Sequence, residues 1–291
     1  QSRNTDLLPK PEQPETIEHY RGYLGNSENF FKFLTDEVSP YLEKNCRTSS
    51  IRTAVGHSNG GTFISYCFLE KPDFFESYIL VSPNYAYDQF QSVKKLQQFH
   101  FENLTSKKFF YMCNANEAET FPKDWEKGNL DVAQILQKAS DSNYIKFVNQ
   151  DFSKTEDHGS IPPIGISLGL KSYMDFYTNT DNLLENIAQN RHVSLTADQA
   201  NSLAYIAKGK NKTQDAIKVL LWANKQFPEN LNIYDSIGEM YQLVGDKANA
   251  NKYYKLFDEN IDKAKKTLSP DEYKELKEGA KGRLDYLKTM K

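Results

Sequence analysis

Apolar positions along this chain follow two different patterns, and the pattern changes part-way. Residues 27–45 place Phe30, Phe31, Phe33, Leu34, Val38, Tyr41 and Leu42 at helical spacing, with Ser27 positioned to cap and Pro40 expected to kink the last turns. A short β-prone run, Thr53-Ala54-Val55, leads through Gly56-His57-Ser58-Asn59-Gly60-Gly61 into an apolar segment of helical length, 63–69. Further apolar runs at 78–81, 109–113 and 145–148 read as strands, with helix-forming stretches at 132–139 and 164–177. Near-continuous apolar strands alternating with helices predict an α/β domain with a parallel sheet over residues 1–182.

From residue 183 to 291 the strands stop and the text is helical throughout. Compared with itself at a period of 34 residues, it aligns Leu203 with Ile237, Ala204 with Gly238, Ala207 with Tyr241, Ala216 with Ala250 and Leu220 with Tyr254. That is a tetratricopeptide spacing, and Pro228 ends the first unit by denying it a continuing helix. A last helix is predicted to begin at Ser269-Pro270-Asp271-Glu272, a capping box with proline at the first helical position.

Composition narrows the function classes. The 36 Lys+Arg against 39 Asp+Glu give a formal charge of −3 with no long block of either sign, which argues against nucleic-acid or anionic-membrane binding. No run approaches the roughly 20 apolar residues of a spanning helix, and the mean hydropathy is −0.70. Cys46, Cys67 and Cys113 lack C-x-x-C spacing and support neither a disulfide framework nor a thiolate metal site. The text opens on Gln1 with no signal-like stretch, so the compartment is left unassigned.

Gly56-His57-Ser58-Asn59-Gly60 fits G-x-S-x-G, the strained strand-to-helix elbow that lifts a serine hydroxyl above a parallel sheet. The bare pattern arises by chance in on the order of one chain in ten of this length; its place between a predicted strand and helix makes Ser58 the candidate nucleophile. A serine needs a base. Of the five histidines, His19 lies in a polar loop, His57 is expected to project away from Ser58, His192 falls in the helical segment, and His100 is far from any strand end near the elbow. His158 follows the last predicted strand, where a loop delivers side chains to the carboxyl edge of the sheet. The orienting acid should follow an earlier strand. Glu117 is the choice there over Glu119, and Asp157 is a rival whose adjacency to His158 points their side chains apart.

These residues carry a family resemblance. The run 52–83, with its elbow and the segments Glu70-Lys71-Pro72-Asp73-Phe74-Phe75 and Tyr78-Ile79-Leu80-Val81-Ser82-Pro83, resembles the Putative esterase family of α/β hydrolases, which includes enterochelin-esterase-like and esterase-D-like enzymes. Asp157-His158-Gly159-Ser160-Ile161-Pro162 is similar to the family's catalytic-histidine motif, and Glu117 falls where its acid commonly sits. Arg3-Asn4-Thr5-Asp6-Leu7-Leu8-Pro9 is similar to the loop after the family's fourth strand. The resemblance covers about residues 1–180 and implies an α/β-hydrolase sheet of which only the C-terminal half is present, followed by the all-α repeat module. On that reading the elbow strand has an open edge, Asn59 supplies one oxyanion N–H although a leucine often stands there, and the second donor lies upstream of Gln1.

The expected activity is hydrolysis of a carboxylic ester or thioester by Ser58, His158 and Glu117, with acyl transfer on the same fold as an alternative and no cofactor or metal. The partner is a small-molecule ester. The rival reading is a non-catalytic interaction protein that binds a protein or peptide on the helical repeats. Tyr85 and Tyr87, after the strand ending near Pro83, are expected to line the approach to Ser58.

Overall fold

In a computed structural model of the chain the four apolar runs become strands: β1 (Thr53–His57), β2 (Ser77–Val81), β3 (Lys108–Asn114) and β4 (Ile145–Asp151). The structure describes residues 2–20, 25–48, 51–118, 121, 123–188, 193 and 195–289. The strands lie in the order β1-β2-β3-β4, all parallel, with Val55 beside Ile79, Ile79 beside Tyr111 and Tyr111 beside Val148. Every residue of β2 is buried, as a central parallel strand covered on both faces requires.

The helices that follow β1, β2 and β3 are α5 (Asn59–Glu70), α6 (Tyr87–Gln97) and α7 (Lys123–Asp141). They cover one face, packing Phe63, Phe68, Val93, Leu96, Val132 and Leu136 on Tyr78, Leu80, Phe110, Met112 and Phe147. Helix α8 (Ile161–Tyr177) covers the other face over Ile79, Val81, Phe109, Tyr111 and Cys113. Alternate residues of β2 and β3 therefore supply two separate apolar clusters, as the period of a strand dictates.

The helical run at 27–45 appears as α3 (Ser27–Phe33), a π turn at Leu34–Val38 and α4 (Ser39–Asn45). The bend expected at Pro40 is taken up by that π turn immediately before it, since proline has no N–H for the ladder and crowds the carbonyl four residues back. Asn26, not Ser27, precedes the first helical turn, and its Oδ1 accepts from Asn29 Nδ2 at 2.6 Å. Two short helices that the periodicity does not reveal open the chain, α1 (Ser2–Leu7) and α2 (Pro14–His19).

Residues Gln1–Tyr177 and Thr178–Lys291 form two compact units. The second contains α9 (Thr180–Ala188), α10 (Ala197–Gly209), α11 (Thr213–Gln226), α12 (Leu231–Leu243), α13 (Lys247–Ala264) and α14 (Pro270–Thr289). Its core pairs small and large residues, Ala200, Ala204, Ala207, Ala216 and Ala223 with Leu203, Leu220, Ile233, Ile237 and Met240. The capping box at α14 is formed: Glu272 N–H donates to Ser269 Oγ at 3.3 Å, and Ser269 N–H donates to Glu272 Oε2 at 2.9 Å.

Among the described residues β1 pairs only with β2, and Val55 on its outer part is 40% exposed. On the face covered by α8 at β2 and β3, Val55 of β1 and Lys146 of β4 are exposed. Unpaired strand edges template association. Light scattering over a concentration series is expected to show a mass that rises with concentration, and Val55→Lys is expected to reduce the rise by placing a charge beside the free edge. A concentration-independent monomer mass in the parent chain would contradict this.

Candidate active site

The turn from β1 into α5 places Ser58 at φ 59°, ψ −124°, a backbone conformation that costs a residue with a Cβ of order 1–3 kcal/mol. Four main-chain bonds hold it. The Ser58 N–H donates to Val81 C=O at 3.0 Å, and its own C=O accepts the N–H groups of Gly61, Thr62 and Asn84 at 2.9, 3.3 and 3.2 Å. The flanking glycines permit the closeness: a Cβ at Gly56 would stand 2.2 Å from the Gly60 carbonyl oxygen, and one at Gly61 would stand 2.7 Å from Pro83 Cβ. Asn59 is the first residue of α5, and among the described residues its N–H is paired with no acceptor, as expected for the first turn of a helix. Its side chain is fixed from both sides, Nδ2 donating to Asn4 Oδ1 and Oδ1 accepting from Asn84 Nδ2, each at 2.9 Å.

The β3–β4 register explains how Glu117 meets His158. After Asn114↔Asp151 the strands separate, β4's chain makes a turn at 152–156, and a parallel bridge re-forms between Asn116 and Asp157, with Asn116 N–H donating to Glu156 C=O at 2.8 Å. The next residue on each side is Glu117 and His158, and His158 Nδ1 lies 2.8 Å from Glu117 Oε2. Glu117 is buried and the His158 side chain is partly buried, 17% exposed. With Nδ1–H donating to the carboxylate, Nε2 is left as the basic lone pair. Phe121 and Trp125 stand against the imidazole with ring centroids 4.6 and 5.3 Å away, which confines its rotation. Asp157 does not compete: its Oδ1 accepts the N–H groups of Gly159 and Ser160, both at 2.8 Å, and those bonds hold its carboxyl below the usual range.

Ser58, Asn59 and His158 line one cavity of about 870 Å³, walled also by Arg3, by Thr16 and His19 of α2 with Tyr20 just after it, and by Asp88, Phe90 and Trp125. Among the described residues no hydrogen bond joins Ser58 Oγ to His158, and no group of three His, Cys, Asp or Glu is placed to hold a metal ion. No helix among them is long and apolar enough to cross a membrane.

The profile of the family described as Putative esterase matches residues 8–157, just over half of the chain. The chain belongs to that family. It is 35% identical over 170 residues to the ferri-bacillibactin esterase BesA of Bacillus subtilis, an alignment covering 57% of this chain and 56% of that protein, so the chain spans about half the length of that relative. Its fold is similar to that of an IroE-like serine hydrolase from Shewanella oneidensis, with TM-score 0.56, 18% identity, and 77% of this chain and 76% of that one covered. It is also similar to the BES protein from Bacillus cereus, with TM-score 0.51, 21% identity, and 58% and 64% covered.

Two histidines of this family member lie elsewhere than the sequence suggests. His57, expected to project away, lines the cavity and packs on His158 with ring centroids 4.4 Å apart, because the sharp turn at Ser58 swings the end of β1 toward the loop after β4. His19 is on α2 and lines the cavity. His100 pairs with Glu102 at 2.9 Å on the exposed surface, and His192 and Glu119 lie outside the described residues. Tyr87 lines the cavity. Tyr85 does not: its ring is buried and its hydroxyl pairs with Ser65 Oγ at 2.7 Å. The cavity wall from α2 had no periodic signal in the sequence that could announce it.

Burial and the neighbouring His158 hold the His57 imidazole below its ordinary pKa, and its Nε2 is buried without a partner. The unfolded chain takes up this proton more readily than the folded one. The contribution to stability is therefore full above the unfolded value of about 6.5 and declines as pH falls below it. Melting curves are expected to show a loss between pH 7 and 5 that is smaller in His57→Gln; an equal loss in both would contradict the assignment. Gly56→Ala is expected to lower stability by about 2 kcal/mol or more in denaturant titration, because the new methyl meets backbone that has nowhere to move.

Proposed function

We propose that the chain is a serine esterase in which Ser58 is the nucleophile, His158 the general base and acid, Glu117 the carboxylate that orients His158, and the Asn59 N–H an oxyanion donor. The observation that carries this reading is the 2.8 Å bond between His158 Nδ1 and buried Glu117, beside a cavity into which a strained elbow also brings Ser58. Ser58 Oγ adds to the ester carbonyl carbon as its proton passes to His158 Nε2. The tetrahedral oxyanion is met by the Asn59 N–H, a group worth about 10²–10³ in rate where such donors have been removed. Collapse expels the alcohol, which takes the proton from His158, and water then releases the acid from Ser58 by the same route. The unbonded Ser58 Oγ is in keeping with a site that tightens on substrate.

The substrate class rests on the likeness to a ferri-bacillibactin esterase. We infer a siderophore ester, and the cavity volume lies at the upper end of the roughly 300–1,000 Å³ usual for small-molecule sites. The α/β-hydrolase domain is read as residues 1–182 and the helical module as 183–291. In that module α12 and α13 begin 34 residues after α10 and α11, from Ala197 to Leu231 and from Thr213 to Lys247, which supports two tetratricopeptide-like units closed by α14. This repeat favours a second, additional reading in which the module binds a protein or peptide.

A fluorophosphonate probe tests the nucleophile. The chain is expected to be labelled at Ser58, with labelling and ferri-bacillibactin hydrolysis both lost in Ser58→Ala. Labelling at another residue, or hydrolysis that survives the substitution, would overturn the assignment.

A further inference from the structure

Asp88, Gln89 and Phe90 have φ values of 51°, 52° and 66°, three consecutive non-glycine residues in the left-handed region at the start of α6. Side chains at such φ values are strained, and single ones are the rule. A turn of this kind persists where its surroundings determine it, and such turns cluster at functional sites. All three residues line the cavity that contains Ser58.

The turn is held by what it holds. The Asp88 carboxylate is buried and accepts three donors: Glu12 N–H at 2.7 Å, Gln13 N–H at 3.0 Å and Gln91 Nε2 at 3.0 Å. The same stretch of chain is bonded to α6 through Tyr87 Oη donating to Pro9 C=O at 2.8 Å, Gln91 Nε2 donating to Lys10 C=O at 3.0 Å and Lys95 beside Glu12 at 3.2 Å. Helix α2 starts immediately after these anchors, and none of its six residues is buried. A six-residue helix is far below the roughly 12–15 residues at which helices begin to stand alone. With no apolar face under it, α2 depends on the anchors for its position. Yet it carries Thr16 and His19 on the cavity wall.

We propose that Asp88 is a positioning residue that sets substrate size selectivity: from the left-handed turn it holds α2 as a wall of the Ser58 cavity, against which a large ester rests and a small one does not reach. The inference rests on the esterase reading for its substrate, and its test is made separable from that reading. Both carboxylate oxygens are in use, so an amide at this position faces at least one N–H with its own NH₂ whichever way it is turned.

Binding of ferri-bacillibactin to Ser58→Ala, followed by tryptophan fluorescence, measures the wall without catalysis. Adding Asp88→Asn is expected to raise Kd about tenfold or more, and adding His19→Ala, which leaves the turn intact, about threefold, since each removes contact surface for the ligand. In the chain with Ser58 restored, the ratio of kcat/KM for ferri-bacillibactin to that for p-nitrophenyl acetate is expected to fall about tenfold in Asp88→Asn. A Kd unchanged by both substitutions, or a selectivity ratio that stays within about twofold, would overturn the proposal. If Asp88→Asn does not fold, His19→Ala decides by the same binding measurement. Absence of any Ser58-dependent turnover would instead count against the esterase reading and leave the binding result to judge the wall.

Discussion

For a serine hydroxyl to stand above the carboxyl ends of parallel strands, its residue must turn the chain from strand to helix within one peptide, and Ser58 does so at φ 59°, ψ −124°. The cost is met by neighbours that admit almost no other arrangement. Gly56 lies against Gly60, Gly61 lies against Pro83, and the Ser58 carbonyl accepts three N–H groups, one of them from Asn84 in the loop after β2. The Asn4–Asn59–Asn84 side-chain ladder then ties the same turn to α1. Loosening any of these contacts moves the hydroxyl, the free Asn59 N–H and the position of His57 together, because all three belong to consecutive residues.

Glu117 and His158 obey a second constraint, the register of β3 and β4. A parallel ladder that ends at Asn114 and Asp151 and resumes at Asn116 and Asp157 fixes which side chains meet beyond it. Glu117 and His158 meet there with the carboxylate buried and the imidazole partly so, where a hydrogen bond is stronger than in water. Strand order brings this pair to the same edge as the elbow, since in a parallel sheet every loop after a strand emerges at the carboxyl end. The remaining wall is supplied by α2, which lacks an apolar face and depends on Asp88 for its place.

The four strands and the helices between them were legible because strands in a covered parallel sheet are apolar on both faces, so Tyr78 to Val81 and Phe109 to Cys113 stand out as unbroken runs. Ser58 was legible through its glycines, and Glu117 and His158 through their positions after β3 and β4. Less was legible where contacts are polar and distant in sequence. Residues 14–19 carry Pro14 and Glu15 as start signals but no apolar periodicity, since the support of the helix comes from Asp88, 75 residues away from Gln13. The left-handed turn at 88–90 contains no glycine to announce it. His57 was misplaced because alternation along a strand predicts its direction only while the strand continues, and β1 ends there. Tyr85 and Tyr87 are two residues apart yet point to different environments, a buried hydroxyl pair with Ser65 for one and the cavity for the other.

The central claim is that the buried Glu117 carboxylate makes His158 a working base for Ser58. The direct measurement is the second-order rate of Ser58 modification by a fluorophosphonate in the parent chain and in Glu117→Gln, with melting temperature followed in parallel. Replacing the acid of such a triad by its amide leaves the packing in place but favours the wrong imidazole tautomer, with losses of up to about 10⁴ in rate. The account predicts a fall of about 10² or more at an unchanged fold. A modification rate within about threefold of the parent, in a variant that melts normally, would contradict it.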